Sequence, residues 1–233
     1  MSGRPVLYRH HGNMLMGFFT AVMALIIAVL FVVLGEAAFE RIGFTSAEFT
    51  LILGATLVGS LINVPVRTAR SSEPVVEVRE VRVFGLTYRI PAMGYREAST
   101  VIAVNVGGAL VPVVVSVVLL GGHPGLIPEA LGGSVVTAVL VHLMARKVKG
   151  VGIVTPALLP PLAAAAVAYL VAPGSPAIVA YISGTLGALV GADLTNMRGI
   201  TRLGAPMASI GGAGTFDGVF LTGLVAVILV PLL

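Results

Sequence analysis

The chain has 233 residues, 57% of them hydrophobic and 10% charged, with a mean hydropathy of +1.05. A soluble domain of this length would hold far less apolar surface, so lipid is the expected solvent and a separate soluble domain is excluded. The net charge of +4 and the pI near 9.9 do not imply nucleic acid as a partner, because the basic residues sit between apolar runs, where they report topology.

There is no Cys, which excludes disulfides, thiolate metal sites and a cysteine nucleophile. There is also no Gln and there are only four Asn, a depletion of heat-labile side chains that points to a thermophilic source.

Seven apolar runs reach the length of about 20 residues that a helix needs to cross a bilayer: 14–35, 47–66, 99–120, 126–145, 150–172, 176–196 and 206–233. The first is too long for a signal-peptide core and ends in GEAAFE, without a cleavage site. The expected fold is an all-α polytopic membrane protein, with residues 1–233 forming a single transmembrane domain in the cell membrane. With the N-terminus in the cytoplasm, the inner segments 1–13, 67–98, 146–149 and 197–205 hold every Lys and Arg except Arg41. The outer loops GGHPGLIPE and APGSP hold none, so the bias of basic residues toward the cytoplasm places the C-terminus outside.

The inner segment between spans two and three differs from the others. VVEVREVRVFGLTYRIP alternates apolar and charged residues around Phe84-Gly85, which predicts a small cytoplasmic β-hairpin within 67–98 and a phase slip at Arg79-Glu80. Such a hairpin either caps the two spans or offers an edge strand to an extended peptide.

Spans two and three also resemble spans six and seven. GATLVGSLIN (54–63) parallels GALVGADLTN (187–196), and NVGGALVP (105–112) parallels SIGGAGTFD (209–217). Copies four spans apart share one orientation, which makes this a parallel repeat.

The only two aspartates, Asp193 and Asp217, lie in apolar runs, whereas the eight Glu fall almost wholly in loops and at span ends. An acid within hydrocarbon costs on the order of 2.5–3.5 kcal/mol on insertion scales, so it marks a functional site. Three Gly in GGAG (211–214) weaken the start of span seven, and a helix beginning near Gly214 brings Asp217 level with Asp193. Two neighbouring carboxyls cannot both ionise readily, which leaves a base and an acid to act on one water. Gly191, Gly212, Gly214 and Gly218 would let a substrate backbone come close. The competing structural reading has Asp217 capping the broken helix and Asp193 paired with Arg198 or Arg202.

Asn63, Asn105 and Asn196 are expected to bond between helices, and His142 to lie at the interface. No His pattern suits a metal, so neither a metal nor a cofactor is expected.

GADLTNM (191–197) and GGAGTFDGVFLTG (211–223) resemble an uncharacterised family of prokaryotic multi-pass membrane proteins. More loosely, the arrangement is similar to the presenilin, signal peptide peptidase and prepilin peptidase group of intramembrane aspartyl proteases. That likeness implies Asp193 and Asp217 as the catalytic dyad, with Gly212 and Gly214 as the Gly-x-Gly before the second acid. It also implies a substrate-binding role for Pro156, Ala157 and Leu158. Thr215 and Phe216 intervene before Asp217, Ala192 stands where that group has Tyr, and the Pro-Ala-Leu precedes the aspartates instead of following them.

The leading expectation is therefore an intramembrane aspartyl protease acting on transmembrane peptides or proteins. Its partners would be membrane lipid and, in a homo-oligomer, further copies of the chain. The alternative is an H⁺- or Na⁺-coupled secondary transporter or channel using the same two acids, and an assembly subunit without chemistry is the third reading.

Overall fold

The computed structural model describes residues 14–83, 86–148, 152–197, 207–212 and 218–233, with side chains for all of these but 14–16, 71–98 and 152. Among them are seven α-helices and a small sheet. The helices are α1 (Met14–Arg41), α2 (Ser46–Gly59), α3 (Val111–Gly122), α4 (Ile127–Met144), α5 (Leu159–Val171), α6 (Pro176–Ala188) and α7 (Gly218–Leu229).

Three helical stretches are long and apolar enough to cross a membrane: Gly17–Arg41, Pro124–Met144 and Pro176–Leu194. Their surfaces suit lipid. On α4 the side chains of Leu131, Val135, Val136, Val139 and Leu143 are 46–76% exposed, which would be costly in water. Helix α1 stands apart, since Phe18 through Leu34 are largely exposed and only its last turns enter the packed core, through Ala38, Phe39 and Ile42.

Helix α6 occupies the centre, with Val179 to Thr185 all buried, and it packs against α4, α5, α7 and α3. Small residues bring these helices together. A Cβ on Gly184 would press on the backbone of Thr222 and Gly223, and one on Gly187 would collide with Thr137. At the end where α1 enters, Phe39 stacks with Phe49 at 5.1 Å and meets Tyr181 edge-on at 5.5 Å. The α1–α2 connection is fixed by a capping box, in which Thr45 and Glu48 satisfy each other's backbone N–H groups.

The expected hairpin is present and longer than anticipated. Strands β1 (Asn63–Val83) and β2 (Leu86–Asn105) pair antiparallel from Asn63↔Asn105 to Val83↔Leu86, which leaves two residues for the turn. The predicted turn itself, Phe84-Gly85, lies outside the described residues. The phase slip expected at Arg79-Glu80 is absent, because pairing runs unbroken through Arg79↔Ile90 and Glu80↔Arg89; the register shifts instead between Pro65 and Arg67. Val66 is the extra residue there, a bulge in β1, whereas Pro74 and Pro91 pair in unbroken register.

Two predicted spans are corrected at their hairpin ends. The run 47–66 is helical only to Gly59, and the run 99–120 begins as strand through Asn105, then makes a π-helical turn (Val106–Leu110) into α3. Val64, Val66, Val101, Ile102 and Val104 are β-branched and suit a strand, and hydropathy alone does not separate an apolar strand from an apolar helix. The last run, 206–233, likewise opens with a strand, β5 (Met207–Ile210), which pairs in parallel with β2 from Val101↔Met207 to Val104↔Ile210. Two short strands after α4, β3 (Arg146–Val148) and β4 (Gly152–Val154), form a separate hairpin.

Candidate functional site

The first repeat segment ends where α2 gives way to β1, and its polar groups converge there. Asn105 is fully buried. Its amide donates to the Ser60 carbonyl at 2.8 Å and to Asn63 Oδ1 at 3.2 Å, and its own Oδ1 accepts the Gly108 N–H at 2.7 Å. That last bond caps the π-helical turn that leads into α3. Gly107 is required beside it, because any Cβ would overlap the Thr56 carbonyl and the Ser60 nitrogen.

The second segment answers it. At the end of α6 the helix widens into a π-helical turn (Leu189–Leu194) that carries Asp193. Asp193 Oδ2 accepts the N–H of Gly211 at 2.7 Å, and Gly211 follows β5 directly. Gly211 and Gly212 take left-handed φ values of 81° and 76°, open to glycine and strained for other residues. A Cβ on Gly211 would collide with Ala109, so the two Gly-Gly turns of the repeat lie against each other. Ser209 closes the link by donating to Asn63 Oδ1 at 2.6 Å. Asn63, Asn105 and Ser209 thus link spans two, three and seven, and the Asp193–Gly211 bond ties span six to the turn after β5.

Asp193 also lines a small cavity of about 50 Å³ together with Ala192, Thr155, Gly218, Val219 and Thr222. Gly218 opens α7, and among the described residues a Cβ there would meet only the Thr155 hydroxyl, at 3.9 Å. Thr155 is shared with a larger groove of about 570 Å³ lined by Leu143, Met144, Arg146, Val154, Pro156 and Leu159. Of the predicted Pro156-Ala157-Leu158 segment, Pro156 lines that groove, and all three residues are exposed.

The other candidate residues fall as follows. Asp217 and Gly214 lie outside the described residues, as do Arg198 and Arg202. Gly191 gives a close approach, but to α4: a Cβ would overlap the Ala138 carbonyl. Asn196, expected to reach another helix, contacts His142 Nδ1 on α4 at 3.4 Å and also donates within its own segment, to the Gly191 and Ala192 carbonyls at 3.1 and 3.0 Å. The widened turn leaves those carbonyls without their usual helical partners, and Asn196 supplies them. His142, which is exposed, bonds to Thr195 Oγ1 at 2.7 Å.

Sequence reasoning missed Ser209, Thr155 and Gly211. Ser and Thr are common in apolar helices and carry little signal there. A backbone N–H such as that of Gly211 has no signature at all, although the Gly-Gly pair does mark an unusual turn.

No curated protein and no solved structure matches the chain. Nothing in these comparisons links the chain to presenilin-type proteases, while the expected membership of an uncharacterised family has direct support. The family model described as "Protein of unknown function (DUF1614)" matches residues 57–229, and the chain belongs to that family.

Proposed function

We propose that the chain is a single seven-span domain of the cell membrane, N-terminus in and C-terminus out, that hydrolyses peptide bonds of membrane-embedded substrates with Asp193 and Asp217. The β1–β2 hairpin faces the cytoplasm in this topology, as the distribution of Lys and Arg requires.

The observation that carries the reading is the Asp193 cavity. It is water-sized, it includes Gly218, the residue after Asp217, and through Thr155 it adjoins a groove large enough for an extended segment. In the proposed reaction one ionised carboxyl takes a proton from a water, and the water oxygen bonds to the scissile carbonyl carbon. The other, protonated carboxyl gives its proton to the carbonyl oxygen. On collapse of this intermediate the C–N bond breaks, the carboxyl that took the water's proton gives it to the amine nitrogen, and a hydroxyl of the intermediate returns its proton to the other carboxylate, restoring the dyad. The Gly211 N–H would hold the Asp193 carboxyl group in orientation through these proton transfers.

The test is cleavage of a panel of single-span membrane peptides by the purified protein, read by mass spectrometry between acidic and neutral pH. Cleavage that disappears in both Asp193→Asn and Asp217→Asn supports the dyad. Absence of cleavage by the folded wild type sinks it.

The second reading, an H⁺- or Na⁺-coupled transporter, is favoured by one specific feature. Both repeat segments break their helices, at 106–110 and at 189–194, beside buried polar side chains, and ion-coupled carriers use broken helices in this way. Proton or sodium flux into vesicles that is lost in Asp193→Asn, without proteolysis, would select it.

A further inference from the structure

The seam between α4 and α6 holds polar groups that the Asp193 site does not use. Thr137 on α4 and Ser183 on α6 are fully buried, and neither hydroxyl has a hydrogen-bond partner among the described residues. Ser116, Ser134 and Thr222 behave otherwise, each donating to the carbonyl four residues back, as hydroxyls in apolar helices commonly do. At the start of α4, Glu129 is partly buried, and its Oε2 is wholly covered and has no partner among the described residues. A buried polar atom left so costs stability, and each such exception asks for a reason. The other buried hydroxyls in this state, on Thr56, Tyr181 and Thr185, lie off the seam: Thr56 is on α2, Tyr181 packs on Phe39, and Thr185 lies against Gly223 of α7.

Glu129, Ser183 and Thr137 follow one another along this seam. A Cβ on Gly133 would stand 3.4 Å from the Ser183 Cβ and 3.6 Å from Val167 and Val179, so Ser183 is level with the turn of α4 that follows Glu129. A Cβ on Gly187 would collide with Thr137, one turn further along. The next turn brings Val141, which lines the cavity of about 50 Å³ with Ala188, Ala192 and Asp193. From Glu129 to Val141 is about 18 Å of α4, in turns of about 6 Å. One water with a hydrogen bond of about 2.8 Å on each side spans such a step. Gly133 leaves the room for it: a methyl group there would meet its neighbours only at ordinary contact distance, whereas one on Gly187 or Gly191 would overlap α4.

We propose that this seam is a proton path between the outer face of the membrane and the Asp193 cavity, with Glu129 as its entry and a water beside Gly133, Ser183 and Thr137 as its relays. A hydroxyl without a partner keeps one proton to give and lone pairs to receive another. A proton taken up by the Glu129 carboxylate passes to the water; each relay oxygen accepts one proton and releases its own to the next, until one reaches the Asp193 carboxylate through the cavity. Only O–H bonds form and break, and nothing is oxidised or reduced. The proposal rests on the seven-span placement, which puts Glu129 outside, and it deepens the H⁺ form of the transporter reading without requiring peptide hydrolysis.

The experiment is proton uptake by vesicles that contain the full chain and an internal pH dye, with an inward proton gradient and valinomycin with potassium to balance charge. Wild-type vesicles acidify faster than protein-free ones. Thr137→Val keeps the shape and loses the hydroxyl, Gly133→Ala fills the space, and each slows the protein-dependent uptake on the order of a hundredfold, the scale of one positioned proton-transfer group. Gly132→Ala, on the open face of the same helix, behaves as wild type. Wild-type uptake no faster than that of protein-free vesicles overturns the path, as does uptake that Thr137→Val and Gly133→Ala leave intact. If that intact uptake is lost in Asp193→Asn, the path is overturned while the H⁺ reading stands; a wild type that moves Na⁺ and no protons overturns both. Monodisperse elution establishes that each variant is folded, and Ser183→Ala, on α6, is an independent arm if an α4 variant does not fold.

Discussion

The Gly211 N–H donates to Asp193 Oδ2 at 2.7 Å, so the acid at the end of α6 holds the left-handed turn that follows β5. The carboxylate therefore serves as a hydrogen-bond acceptor as well as a charge, and the two roles separate by substitution. Asp193→Asn keeps an oxygen for Gly211 and should unfold close to the wild-type temperature. Asp193→Ala strands a half-buried N–H and should cost about 1–3 kcal/mol. Thermal unfolding in detergent measures both, and equal losses in the two variants would show that the charge, not the acceptor, is what the fold uses.

Asn105 makes three hydrogen bonds in a fully buried site. Asn105→Leu leaves the Gly108 N–H and the Ser60 carbonyl without their partner in a buried site, and a loss of about 2–5 kcal/mol is expected. Reduced yield of folded, monodisperse protein and a lowered unfolding temperature would register it. A variant as stable as wild type would mean that water replaces the amide.

The Ser209–Asn63 bond joins the two repeat segments across 146 residues of chain. Ser209→Ala and Asn63→Ala should be non-additive, with a coupling of about 0.5–1.5 kcal/mol in a double-mutant cycle. Strict additivity would mean that this bond contributes nothing to holding the segments together.

Two glycine-to-alanine changes should diverge. At Gly107 the new methyl would overlap the Thr56 carbonyl and the Ser60 nitrogen, so the variant should lose several kcal/mol or fail to accumulate. At Gly132, on an open face of α4 with nothing within 4 Å, alanine should stabilise the helix by up to about 1 kcal/mol. Parallel unfolding curves of the two variants decide the matter.

How legible this molecule is depends on which physical signal a residue carries. The long apolar stretches around α1, α4 and α6 follow directly from length and hydropathy. The hairpin is also legible, because alternation of apolar and charged residues around a two-residue loop has no helical equivalent. Its true ends were hidden, since Val64, Val66 and the run Val101 to Val104 are as apolar as any span and only pairing with a partner strand reveals them as β. Asp193 stands out as one of two acids in apolar runs. What it binds does not, because a bond to a backbone N–H depends on how β5 delivers Gly211, a long-range outcome of packing. Asn63 and Asn105 were expected to join helices and instead join the ends of β1 and β2 to their neighbours, because their runs are strand there, while Asn196 both contacts His142 on α4 and serves its own widened segment.

The parallel pairing of β2 with β5 sets an order of events during synthesis. Val101 waits for Met207, about a hundred residues later, so at roughly 5–20 residues per second the outer edge of β2 stays open for on the order of 5–20 s. Over that interval α3 to α6 emerge while the side of residues 101–104 away from β1 has no partner strand, and that edge is free to pair with a neighbouring nascent chain. Assembly of this protein thus finishes from its C-terminal end. A chain stopped before Met207 would keep α1 to α6, lack α7 and expose an unpaired strand edge, a species prone to association and suited to recognition by quality control.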